Sequence, residues 1–331
     1  MKLHFVGDIS LGEYYLTFGH GVKTVCKNVD PFELCEQIFS KSDAVIGNLE
    51  GPASNVGNNP SEPESVVLRA DPNSIRYLSK SNFKIVQVAN NHSIQHGIEC
   101  FNDSNQKLLK YNILPVGLIN QRITKIIIHG ESIGFLAASD VTDNTEPSQD
   151  IYQYLNHEFI DRIKNSVSEV DHLFVLLHWG LESSTKPLRY QDELAMELKE
   201  LGVRGVIGSH PHLFYPITSY DNFVYAPSLG NFIFDDGWDS RKLKTGILEL
   251  DLKKNFMAVK VIPIHIRKSD FRPKPFGDKI PITGEYKLYK LGDKMNYQQL
   301  KKTLFFFRHL PKGNMLLKLK FFSRKLLRIF S

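Results

Sequence analysis

Five short apolar runs of this 331-residue chain each end in a cluster of side chains able to bind a cation. The clusters are Gly7-Asp8-Ile9-Ser10, Gly47-Asn48-Leu49-Glu50-Gly51, Asn90-Asn91-His92, His178-Trp179-Gly180-Leu181-Glu182 and Gly208-Ser209-His210-Pro211-His212. Neutral imidazoles, carboxylates and amide oxygens together suit Mn, Fe or Zn better than Mg or Ca. The cysteines (Cys26, Cys35, Cys100) are odd in number and lack Cys-x-x-Cys spacing, so nitrogen and oxygen ligands would have to hold any metal. Each cluster alone has a plainer reading. Asp8 could cap a turn, Asn48 and Asn91 could be left-handed turn residues, and His178 could be a hydrogen-bonded core histidine. His210 and His212 are harder to place in a core, because two imidazoles flank a proline on a Gly-Ser turn. Taken jointly, the clusters predict a divalent-metal site of one or two ions formed by Asp8, Asn48, Glu50, Asn91, His178, His210 and His212.

Such a site needs elements that bring distant segments to one edge. The runs Leu3–Val6, Ala44–Ile46, Ile85–Ala89, Lys125–Ile128, Ile133–Ala138, Leu173–Leu177, Gly205–Ile207 and Phe223–Ala226 have the length and β-branched content of buried strands. Helices are expected between them at Pro31–Ser40, capped by Asp30, at Ile98–Tyr111 and at Arg189–Leu201, stopped by Gly202. Strands alternating with helices over about 240 residues predict an α/β fold with a largely parallel sheet. In such sheets ligands gather at the carboxyl ends of the strands. After Thr245, Gly246–Leu252 and Met257–Ile266 alternate apolar and polar residues and read as antiparallel strands.

Composition is that of a globular protein, with 42% hydrophobic and 23% charged residues. The net charge of +5 is unevenly spread. Residues 294–331 hold ten Lys or Arg and no Asp or Glu, a local +10 that leaves the remainder at −5. Basicity confined to a terminal appendage argues against a nucleic-acid-binding body. Within the tail, Leu316, Leu319, Phe322, Leu326 and Ile329 recur every three or four residues, and the cations fall largely elsewhere. That pattern fits either an interfacial helix on an anionic membrane or a terminal helix docked on the body. The N-terminus runs straight into the first cluster without a signal-peptide layout. It reads as cytoplasmic, with attachment at the inner membrane face as the tail's alternative.

The ordered set Gly7-Asp8, Asn48-Leu49-Glu50, Ala89-Asn90-Asn91-His92, His178-Trp179-Gly180, Gly208-Ser209-His210-Pro211-His212 and Ser228-Leu229-Gly230-Asn231-Phe232-Ile233-Phe234-Asp235 resembles the CapA family. These proteins are linked to synthesis of poly-γ-glutamate and other capsules. The resemblance covers about residues 1–240. It implies a calcineurin-like metallophosphoesterase fold, a layered sandwich with a mixed central β-sheet flanked by helices. Residues 1–266 would form that domain, 267–293 a surface connection, and 294–331 the basic amphipathic tail. Carried over position by position, Asp8 resembles the first-metal aspartate, and Asn48 or Glu50 stands where the bridging carboxylate is expected. Asn91, His178 and His210 resemble second-metal ligands, and His212 returns to the first metal. His92 resembles the histidine that assists the leaving group, acting with Asp8 and Glu182 in catalysis. Asn90, Asn231 and Asp235 are expected to line the substrate pocket.

Three departures stand out: Ser10 where the wider pattern has histidine, Gln95-His96-Gly97 where the family carries an aspartate, and an altered Glu182-Ser183 pair. The resemblance implies metal-activated water attacking a phosphoester of an anionic, sugar-linked or polymer-linked substrate during capsule or surface-polymer synthesis. Two other readings stay open. One is a catalytically degenerate accessory subunit of capsule-synthesis machinery, and the other is amide or acyl chemistry at the same metal.

Overall fold

Residues facing opposite ways along each strand bury both faces of the sheets, and this sets the layering. The computed structural model describes residues 1–145, 151–220, 222–253, 255–292 and 297–330. In the first sheet, β1 (Lys2–Ile9), β2 (Ala44–Leu49), β3 (Phe83–Gln87) and β4 (Leu114–Val116) run parallel. The second sheet contains β5 (Thr124–Ile128), β6 (Glu131–Ser139), β7 (His172–His178), β8 (Gly205–Ser209), β9 (Ile217–Tyr220) and β10 (Phe223–Ala226). Here β6, β7, β8 and β10 are parallel, while β5 at one edge and β9 beyond β10 are antiparallel. The chain then returns to the first sheet. β11 (Asn231–Ile233) pairs β1, and β12 (Lys244–Lys253) with β13 (Phe256–Ile266) forms an antiparallel hairpin beside β1.

Phe5, Ile46 and Ile85 of the first sheet pack against Phe174, Leu176 and Ile207 of the second. Their neighbours Val6, Val45 and Val86 face outward against α1 (Ile98–Lys110), through Phe101 and Leu108. On the far side, Val175, Leu177 and Val206 meet α2 (His157–Ser166) and α3 (Arg189–Glu200) through Phe159, Ile163, Ala195 and Leu198. The molecule is therefore a helix–sheet–sheet–helix sandwich, mixed in both sheets. The expected layered α/β class holds, but strands expected in one central sheet divide between two. Periodicity shows that a strand is buried on both faces, not which sheet it joins.

Local signals act as read at several points. Gly202 takes φ +96° immediately after α3 and its C-cap, and Asp30 Oδ1 accepts from Phe32 N at 2.9 Å. The helix expected over Pro31–Ser40 is shorter, a 3-10 turn at Glu33–Cys35 followed by a helical turn at Glu36–Phe39. Cys26, Cys35 and Cys100 are free and buried. Segment 267–293, expected as a surface connection, contributes β14 (Pro273–Pro275) and β15 (Ile280–Ile282) to the first sheet and β16 (Gly284–Tyr286) to the second.

The basic tail forms α4 (Gln298–His309) and α5 (Met315–Phe330), a helical hairpin held on the body by one face. Phe321 stacks on Tyr15 at 4.6 Å. Arg324 bridges Glu62 and Glu64 at 2.5 and 2.7 Å. No described helix is long and apolar enough to cross a membrane.

Candidate metal centre

Neighbouring strand ends deliver the clusters to one place. Asp8 and Asn48 are register partners on β1 and β2, and His178 and Ser209 are partners on β7 and β8. The centre therefore straddles the carboxyl edges of both sheets. Its first wall depends on a close approach. Asp8 N donates to Gly230 O at 2.9 Å, and a Cβ on Gly7 would lie 1.8 Å from that same oxygen, so only glycine fits. The opposite wall carries strain, because His210 and His212 take φ +97° and +59°. Left-handed non-glycine backbone costs about 1–3 kcal/mol per residue, which local packing must offset.

Among the described residues, Asp8, Glu50 and His178 each offer one ligand atom within 4.8 Å of the others, all buried. The amide of Asn48 sits between them, donating to Asp8 Oδ1 at 2.9 Å and lying 3.3 Å from Glu50 Oε2 and from His178 Nδ1. His178 Nε2 reaches Asn91 Oδ1 at 2.8 Å, and its Nδ1 lies 3.0 Å from Ser209 Oγ. His212 Nδ1 is 3.2 Å from Asp8 Oδ2, and its Nε2 is 3.7 Å from Glu50 Oε1. His92 Nε2 approaches Glu50 Oε1 at 3.7 Å. His178 and His210 rings lie 4.8 Å apart, with His212 6.1 Å from His210. The sequence set Asp8, Asn48, Glu50, Asn91, His92, His178, His210 and His212 is thus brought together.

Electrostatics follow from dry packing of like groups. Burial, reinforced by Asp8, pushes the Glu50 carboxyl well above its ordinary range. Burial and the neighbouring His210, His212 and His92 rings push His178 well down, and burial with His212 brings His210 to about 4. Burial also lowers His92. For His212 burial is outweighed by the Glu50 and Asp8 carboxylates, which raise it to about 9. The cluster therefore retains a proton at neutral pH.

Other expected site residues occupy supporting places. Asn231 Oδ1 holds His212 Nδ1 at 2.8 Å. Asn90 is a buttress: Nδ2 donates to Leu49 O at 2.9 Å, and Oδ1 accepts from His92 N at 3.1 Å. The Asp235 carboxylate is occupied by Thr17 Oγ1 at 2.5 Å, Tyr14 N at 3.0 Å and Val22 N at 3.3 Å. It pins the 14–22 loop, since a buried carboxyl must be satisfied by nearby donors. Glu182 is half-exposed at the rim, 3.5 Å from Lys242. Burial opposes its ionisation, but Lys242 and His212 overcome this and bring it to about 2, so it is an ionised acceptor rather than a proton donor.

The sequence reading missed Lys242, fully buried and paired with Asp236 and Glu182. Lysine is almost never fully buried without a partner, yet nothing in its local pattern separates it from a surface lysine. It also missed Gln95 as a partner of His92: Oε1 lies 2.6 Å from His92 Nδ1. The replacement that removes a carboxylate thus supplies an amide to orient the ring.

A family model described as bacterial capsule synthesis protein PGA_cap matches residues 2–236. The chain belongs to this family. The PGA biosynthesis protein CapA of Bacillus subtilis (strain 168) is 29% identical over 286 residues, covering 82% of this chain and 73% of the relative. The capsule biosynthesis protein CapA of Bacillus anthracis is 25% identical over 293 residues, covering 83% and 69%. Among solved structures, a putative 5'-nucleotidase from Staphylococcus aureus in complex with alpha-ketoglutarate aligns with a TM-score of 0.53 at 12% identity, over 92% of this chain and 58% of that one. That likeness is one of fold, and the family's fold here is metallophosphoesterase-like.

Proposed function

We propose that this protein is a metal-dependent phosphoesterase-type enzyme working with the machinery of capsule or surface-polymer synthesis, on an anionic, sugar-linked or polymer-linked substrate. One observation carries the reading: Asp8, Glu50 and His178, from strand ends of both sheets, lie within 4.8 Å of one another, and His212 and His92 approach the same carboxylates. The donor set fits a divalent ion, with Mn, Fe or Zn favoured by mixed nitrogen and oxygen ligands. Glu50 Oε1 and His210 Nδ1 are buried without a hydrogen-bond partner, a costly state for a folded protein that coordination would relieve. Asp8, Glu50 and His178 would hold the first ion, with Asn48, Asn91, His210 and His212 available to complete it or hold a second.

A bound divalent ion lowers the pKa of water from about 15.7 toward 7 and polarises a phosphoryl oxygen. The chain's own residues supply the rest. Gln95 Oε1 accepts from His92 Nδ1 in the neutral tautomer, which leaves Nε2 as an acceptor facing the carboxylate side. Because burial keeps His92 neutral, it takes up the proton released by the attacking water, then returns it to the leaving oxygen. Asn231 and Ser209 fix the His212 and His178 rings, which is the usual support for ligating imidazoles.

A second reading, an accessory subunit without turnover, draws on Ser10, whose buried Oγ has no partner where the wider pattern places a ligand. Turnover of an aryl phosphate with and without chelator, alongside metal content by mass spectrometry, tests both. Metal-dependent turnover is expected. Absence of turnover on any phosphoester at saturating Mn or Zn would overturn the enzyme reading. Metal lost in His210→Ala with polymer production retained would favour the accessory role.

A further inference from the structure

The α4–α5 hairpin presents an apolar face that the body does not cover. On α4, Phe305 packs against the body and Lys301 pairs with Asp239 at 2.5 Å. On α5, Leu317 and Lys318 are buried and Phe321 stacks on Tyr15. At about 100° per residue, Leu300, Leu304 and Phe307 fall opposite the buried side of α4, and Leu316, Leu319 and Leu327 fall opposite that of α5. The structure agrees: these six side chains are 45–77% exposed. The helices meet through Phe306 and Phe322, whose rings are 4.2 Å apart, so the two exposed stripes lie side by side. The side chains of Leu326, Arg328 and Ile329, also assigned to the tail's pattern, lie outside the described residues.

We propose that this face is an interfacial anchor that lies in the plane of an anionic lipid surface. Charge complementarity selects that occupant. Arg308 near the end of α4 and Lys312 in the turn after it are exposed beside the apolar stripe and form no ion pair among the described residues, and residues 294–331 hold no carboxylate side chain. A second copy seated on the same face would set these cations against their own counterparts. Over the described residues neither helix is long and apolar enough to cross a bilayer, so the hairpin inserts only its apolar side chains while cations meet headgroups. The inference is independent of the metal centre.

The test is co-sedimentation of the full chain with vesicles of phosphatidylcholine alone and of phosphatidylcholine mixed with phosphatidylglycerol. Wild type should bind the anionic vesicles, and salt should weaken binding. Each surface cation contributes about fivefold, so the double variant Arg308→Gln, Lys312→Gln should lose about twenty-five-fold. Leu304→Ser with Leu316→Ser should lose binding to either vesicle. All four positions are exposed, and an unchanged near-ultraviolet circular dichroism spectrum shows that each variant is folded. Failure of wild type to sediment, equal binding of wild type and both variants, or a solution dimer that the leucine pair dissociates would each overturn the proposal.

Discussion

Replacing Glu50 with glutamine should stabilise the metal-free protein while abolishing its response to metal. Glu50 and Asp8 present oxygens no more than 4.8 Å apart in a buried site. At an effective dielectric near 20, two unit charges at that separation repel by about 3.5 kcal/mol. His212, 3.2 Å from Asp8 and 3.7 Å from Glu50, offsets roughly half of this, leaving about 2 kcal/mol to be gained by a neutral amide. A chain of 331 residues has an unfolding entropy of about 0.7 kcal/mol per degree, so the metal-free Tm should rise by about 3 °C. Wild type at a hundredfold excess of Mn over its Kd gains about 2.7 kcal/mol, or about 4 °C, and the variant should gain almost none. The sign with pH is also fixed. Burial and Asp8 raise the Glu50 pKa in the fold, so its cost is absent below the unfolded pKa and grows as pH rises. The variant's advantage should therefore shrink toward pH 4.5. Differential scanning fluorimetry with chelator or Mn across pH reads all three effects. A Glu50→Gln protein less stable than wild type without metal, yet equally stabilised by Mn, would refute the reasoning.

Two further predictions concern coupling between distant segments. His20 Nε2 and His309 Nδ1 lie 2.9 Å apart where the hairpin docks, and burial, with Lys318 beside His20 and His20 beside His309, lowers both to about 4. The facing groups are Lys312, Lys318 and Arg308 on the hairpin and Glu13 on the body. The released form binds more protons between pH 6.5 and 4, so docking weakens on acidification, by about 1 kcal/mol per ring at pH 5; proteolysis of the hairpin should accelerate there, and a rate independent of pH would contradict this. Glu249 meets His4 at 2.9 Å and Lys279 at 2.5 Å; burial opposes its ionisation, but these partners bring it to about 2. Its stabilisation, about 2 kcal/mol, is present above pH 4.5 and lost as pH falls through 2. Glu249→Gln should therefore show a lower urea midpoint at pH 7 and converge with wild type near pH 2; matching midpoints at pH 7 would contradict the assignment.

The strands and ligands were legible for a shared reason. A strand buried on both faces leaves a continuous apolar run, and a polar cluster at its end is conspicuous. Asp8, His178 and His210 are therefore assignable to one site from the sequence. What was not legible depends on which strands become neighbours. The division into two sheets brings β7 and β8 opposite β1 and β2, so the centre closes between layers rather than along one edge. Asp235 was assigned to the pocket through its place in the Asn231–Asp235 motif, but only contacts show that its carboxyl faces Thr17. Lys242 could not be singled out because burial of a lysine depends on carboxylates (Asp236 and Glu182) whose proximity is tertiary.

The central claim is coordination at the junction of the two sheets, and a crystal soaked with manganese and inorganic phosphate measures it most directly. An anomalous peak is expected about 2.0–2.3 Å from Asp8, Glu50 and His178, with phosphate oxygens on its open side near His92. Saturating manganese with no peak at that junction, or a peak bound only by surface carboxylates, would contradict it.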